Sequence, residues 1–129
     1  MNRKIVITGA ILIVVAIVLG AFGAHALKKV LDFNQLSSFE TGVRYQIYHG
    51  LALLILGLNS SKFNFGLKWV SGLLNTGVIL FSGSIYGLTL QPILEMKLSF
   101  LGPITPIGGM LLIIGWCIFI VQLIRQKND

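Results

Sequence analysis

The chain holds two histidines, His25 and His49, one cysteine and four acids, so the chemistry open to it is narrow. Its densest group of reactive side chains is Glu40–His49. On a helical wheel Glu40, Thr41, Arg44, Tyr45, Tyr48 and His49 fall on one half, with Val43, Ile47, Gly50, Leu54 and Leu58 on the other. Glu40 precedes Arg44 by four residues, the favoured order for a helical ion pair. Beside tyrosines, such a pair would fix the depth of a helix at a membrane surface, because arginine snorkels and tyrosine anchors at headgroups. The histidines admit three roles: proton relay, metal ligation, or axial ligation of haem. The two ligand roles require side chains converging from two helices, and neither a metal nor a cofactor is expected from two isolated histidines. There is no nucleophile elbow, phosphate loop or paired carboxylate, so no catalytic residues are assigned and no enzyme is expected.

These residues need a scaffold, and composition states which solvent it folds in. Hydrophobic residues make up 55% of the 129, charged residues only 11%, and the mean hydropathy is +0.88. A soluble domain is nearer a quarter charged, so a water-covered surface cannot be built and lipid is the expected medium. The net charge of +6 is spread in ones and twos at the edges of apolar runs, which speaks for membrane orientation and against nucleic acid. Cys117, alone in an apolar run, excludes an intramolecular disulfide. The uncharged run from Ile5 to Leu27 exceeds the h-region of a signal peptide, about 7–15 residues, and reads as a retained span.

Four runs reach spanning length, about 5–26, 38–58, 68–90 and 106–124. The backbone must satisfy itself in lipid, so all four are predicted helices. The expected fold is all-α: a single up-and-down bundle of four transmembrane helices with short interfacial segments. Ser37-x-x-Glu40 has the form of a capping box at the start of the second helix. Leu27, Val30 and Leu31 share a face, predicting a short interfacial helix. Pro92, Pro103 and Pro106 predict a broken segment along the interface between the third and fourth helices. With the N-terminus inside, Arg3, Lys4, Lys62, Lys68, Arg125 and Lys127 lie inside, against Lys28, Lys29, Arg44 and Lys97 outside. That bias places both termini in the cytoplasm. His25, Ser82, Ser84, Tyr86 and Thr105 then join the Glu40–His49 group in the outer half of the membrane as one candidate polar cluster. Asn75 sits deeper and reads as a helix–helix hydrogen bond.

Small residues supply the contacts. Gly9, Ala16 and Gly23 recur every seven residues and Ala16, Gly20 and Ala24 every four, a stripe for close helix approach. Gly83-x-x-x-Gly87 and Gly72-x-x-x-Thr76 predict the same for the third helix, within the bundle rather than between copies.

Several stretches carry a resemblance across most of the chain: Gly20-Ala21-Phe22-Gly23-Ala24-His25-Ala26-Leu27, Thr41 through Ala52, Phe81-Ser82-Gly83-Ser84-Ile85-Tyr86, and Gly102 through Gly109. The chain resembles a domain-of-unknown-function family of small four-helix bacterial membrane proteins, related to small animal transmembrane proteins. The resemblance implies a multi-pass cell-membrane protein. It brings no activity, substrate or cofactor, so no functional residues carry over.

The leading expectation is a non-enzymatic membrane protein whose polar cluster holds helices, lipid headgroups or a partner. The bilayer is its one expected partner; a protein partner or a second copy is left open. A small proton-coupled transporter or channel component is the alternative, although no acid lies inside an uncharged run and coupling would fall to His49. A haem or metal carrier using His25 and His49 is a further alternative.

Overall fold

The structure, a computed structural model, describes residues 1–127. Its four helices are α1 (Arg3–His25), α2 (Phe33–Leu58), α3 (Lys68–Leu94) and α4 (Ile104–Arg125), joined by single 3₁₀ turns at Leu27–Lys29, Ser60–Lys62 and Ser99–Leu101. Among the described residues there is no strand. The helices run antiparallel in sequence order. Extensive interfaces join α1 to α2, α2 to α3 and α3 to α4, and none of comparable extent joins α1 to α4. The end that carries His25 and the α1–α2 and α3–α4 connections is termed the upper end.

Three helical segments are long and apolar enough to cross a membrane: Arg3–Lys29, Lys68–Leu94 and Ser99–Arg125. Their outward faces carry side chains such as Val14, Val18, Ile113 and Ile120, all exposed. Exposed aliphatic side chains in such numbers are stable only where the solvent is itself apolar. Helix α2 has 26 residues, about 39 Å of rise, but its upper half is too polar for it to stand with the other three on composition.

Glycine sets the helix spacing. Gly9 lies against Gly50 and Leu54 of α2, Gly57 against Val6, and Gly23 against the Phe39 ring. On the other hairpin Gly77 meets Leu112, Gly115 meets Leu74, and Gly108 sits on the backbone of Gly77 and Phe81. Ala16 is fully buried, and Gly20 touches Val43. Gly87 is covered by Leu101, whereas nothing lies within 4 Å of where a Cβ would stand on Gly83 or Gly72. The packing role expected of Gly83 and Gly72 therefore belongs to Gly77, on the opposite face of α3; Thr76 and Ala24 also point outward.

Helix ends depart from expectation for local reasons. Asp32, not Ser37, caps α2: its carboxylate accepts from Gln35 N at 2.8 Å while Gln35 Oε1 accepts from Asp32 N at 3.1 Å. This capping box stands further upstream, so Ser37 is already inside the helix, its carbonyl accepting from Thr41 Oγ1. The expected interfacial helix is a single 3₁₀ turn. Leu27 and Leu31 plug the upper end of the α1–α2 hairpin while Val30 is exposed. Helix α3 continues through Pro92 to Leu94. Proline cannot donate to Leu88 O, and the Gln91 amide donates there instead at 3.1 Å. The helix ends at Glu95, in the left-handed conformation at φ 52°.

Candidate functional site

The central polar group is built around a residue to which the motif reading gave no role. Gln46 is buried in mid-helix, donates to Leu12 O of α1 at 2.8 Å and accepts from the Tyr86 hydroxyl of α3 at 2.6 Å. One amide thus ties three helices. Directly beside it Ser82 donates to Gly42 O at 2.7 Å, and the missing side chain of Gly42 leaves room for the Tyr86 ring. Tyr86 also packs on Phe39, ring centroids 5.1 Å apart. The signal for Gln46 was present in the sequence: a strongly polar amide inside the uncharged run Tyr45–Ser61 must find partners within the protein.

His49 belongs to a second group, between α2 and α4. Its Nδ1 lies 2.8 Å from Tyr45 O, and its Nε2 lies 3.1 Å from Trp116 Nε1. A carbonyl only accepts and an indole N–H only donates, so Nδ1 carries the proton and Nε2 offers the lone pair. The imidazole is therefore neutral, with both nitrogens engaged. Trp116 was not among the expected residues, because nothing in the spacing places α4 beside His49.

The remaining residues do not join these groups. His25 is exposed in the last turn of α1. His49 stands level with Leu12 and Ile13, as the contacts of Gln46 and Gly50 show, so the two histidines are about 18–20 Å apart along the bundle. They do not meet. Ser84 and Thr105 pair with each other, Oγ to Oγ1 at 2.6 Å, across α3 and α4. Glu40, Arg44, Tyr45 and Tyr48 are exposed. Arg44 donates to Thr41 Oγ1 at 3.1 Å rather than to Glu40, so the expected ion pair is not formed. The tilt of helical side chains toward the N-terminus carries this guanidinium upward. Asn75 is half-buried and makes no cross-helix bond among the described residues. The single outer cluster expected from sequence is thus three separate groups and an exposed rim. Among the described residues, no three histidine, cysteine or acidic side chains come together as a metal site.

An all-helical scaffold with aliphatic outer faces, glycine-spaced hairpins and its polar groups turned inward defines an integral membrane protein. The chain belongs to a family described as protein of unknown function DUF423, whose model matches residues 19–109. A UPF0382 membrane protein of Staphylococcus aureus is 45% identical over 123 residues, covering 95% of this chain and 97% of its own. UPF0382 membrane proteins of Staphylococcus epidermidis and Staphylococcus haemolyticus are 41% and 42% identical with the same coverage. No solved structure matches the chain.

Proposed function

We propose that this is a non-enzymatic, four-span protein of the cell membrane with both termini in the cytoplasm, in which the inward polar side chains hold helices together. One observation carries the reading. Gln46, His49, Ser82, Ser84, Tyr86 and Thr89 all bond within the chain, and Gln122 Oε1, on lower α4, is the one buried side-chain acceptor without a partner among the described residues. A relay or solute path would need polar groups that exchange partners. The described acids Asp32, Glu40 and Glu95 are exposed and lie toward the upper end, so coupling in a small proton-coupled transporter would fall to His49, whose two ring nitrogens are both engaged. Haem or metal ligation by His49 would first require breaking its bond with Trp116. Protein purified in mild detergent and mixed with ferric haem is therefore expected to give no Soret band that depends on His49; a band lost in His49→Ala would overturn this.

Helix α2 counts as the fourth span because its polar groups at membrane depth, Gln46 and His49, are satisfied inside. The lower end also carries the greater share of Lys and Arg, which favours its placement in the cytoplasm. In a Cys117→Ser background, Lys28→Cys should react with an impermeant maleimide on intact cells. Ser61→Cys should react only after lysis. Labelling of both from one side would show that α2 does not cross.

A further inference from the structure

Two clefts follow each other down the seam between α2 and α4, over the face of α3. The upper cleft, about 510 Å³, is lined by Asn34, Gln35 and Ser38 of α2, Thr89 of α3 and Thr105 of α4 among others. The lower groove, about 470 Å³, is lined by Tyr45, Phe81, Ile113, Trp116 and Cys117, with Gly109 forming part of its wall. They share one line: Ser38 and Tyr45 are seven apart on α2, and Thr105, Gly109, Ile113 and Cys117 are four apart on α4. The upper cleft therefore offers uncharged hydrogen-bonding side chains, and the lower one an aromatic and aliphatic trough open sideways.

Charge stands beside this line rather than in it: Arg44 lines neither cleft, but its guanidinium is held on Thr41, one turn above Tyr45, and pairs with no carboxylate among the described residues. Glu40 lies one turn above Arg44, on the side away from Thr41. From Asn34 to His49 the seam is about 22 Å long, the thickness of a single leaflet with its headgroups, half of about 40–45 Å. Polar at the top and apolar below, over one leaflet's depth, with a cation on its flank, the seam has the pattern of a phospholipid.

We propose that this seam holds one anionic phospholipid with a hydroxyl-bearing headgroup, such as a phosphatidylglycerol. An acyl chain lies along Tyr45, Phe81 and Trp116, the phosphate meets Arg44, and the headgroup hydroxyls occupy the cleft of Asn34, Ser38 and Thr89. The site rests on α2 crossing the bilayer, as proposed above.

Trp116 lines the groove and reports its occupant. The other tryptophan, Trp69, is 71% exposed at the lower end of α3 and can be removed as Trp69→Phe. In that background the protein is reconstituted in phosphatidylcholine vesicles holding a minor fraction of chain-brominated phosphatidylglycerol, or the same fraction of chain-brominated phosphatidylcholine. The brominated phosphatidylglycerol should quench Trp116 with about five-fold higher apparent affinity, the gain of one arginine facing a net anionic headgroup in place of one whose choline cancels the phosphate charge. Arg44→Gln should abolish the preference and Arg44→Lys retain most of it. Lys28→Gln with Lys29→Gln, at the far hairpin, should leave it intact. Gly109→Leu, which projects toward Phe81 across the groove, should weaken quenching by the preferred lipid.

Equal quenching by both lipids overturns the site. So does a preference that the Lys28 and Lys29 changes remove as effectively as Arg44→Gln, since surface charge alone would then be responsible. A groove protected from both lipids, with Cys117 forming an intermolecular disulfide, would assign it to a second copy instead. Equal quenching with the cysteine labelling as expected removes the site alone; labelling of both loops from one side removes the four-span reading with it.

Discussion

Gly108→Ala is expected to destabilise the protein by about 3 kcal/mol, the upper part of the range for overpacking. A methyl group at this position meets Phe81 N and comes within 2.8 Å of Gly77 O. Both obstacles are backbone, so no rotamer change relieves the clash and α3 and α4 must move apart. That movement unseats Gly77 from Leu112 and Gly115 from Leu74, contacts on which the hairpin depends because lipid gives apolar surfaces little reason to associate. Alanine recovers about 1 kcal/mol of helix propensity over glycine, which is too little to compensate. Gly83→Ala is the matched control, since nothing lies within 4 Å of its added methyl; it should be neutral or stabilise by up to about 1 kcal/mol. Unfolding of both variants in detergent by denaturant titration measures the difference. Equal stability of Gly108→Ala and the parent would refute the packing argument.

Gln46→Leu should cost about 1–2 kcal/mol, a large effect for hydrogen bonds between helices in a membrane. The substitution keeps the side chain's approximate volume and removes both the donor to Leu12 O and the acceptor of the Tyr86 hydroxyl. The orphaned hydroxyl accounts for much of the cost, so Tyr86→Phe in the Gln46→Leu background should be nearly neutral, while in the parent it is destabilising. A double-mutant cycle reads this directly. Additive effects would mean that the 2.6 Å contact contributes nothing to stability. The same cycle on His49 and Trp116 would separate a bond from simple packing.

The two substitutions also mark how far the sequence can be read. Gly9, Ala16 and Gly23 stand on one stripe because α1 packs along its whole length on one partner, so a seven-residue repeat coincides with a contact. Helix α3 packs on two neighbours and meets lipid elsewhere, and its small residues occur on buried and exposed faces alike. Gly83 and Gly77 differ in environment but not in any periodic signal. In water, an apolar stripe marks the inward face; in lipid the outward face is equally apolar, and that contrast disappears. Polarity replaces it only where a side chain is costly in hydrocarbon, as at Gln46.

Composition therefore determined the solvent and the helical backbone that follows from it, and the order of apolar and polar residues determined the approximate limits of the helices, since each depends on the free energy of transferring residues one at a time into hydrocarbon. Which side chains meet was decided by tertiary structure. His25 and His49 are separated by the antiparallel register of α1 and α2, Trp116 is brought to His49 by the packing of α4 on α3, and Arg44 is turned from Glu40 to Thr41. These outcomes depend on distances of a few ångströms between helices remote in sequence, and such distances are set by glycine-limited packing that acts on whole helices at once.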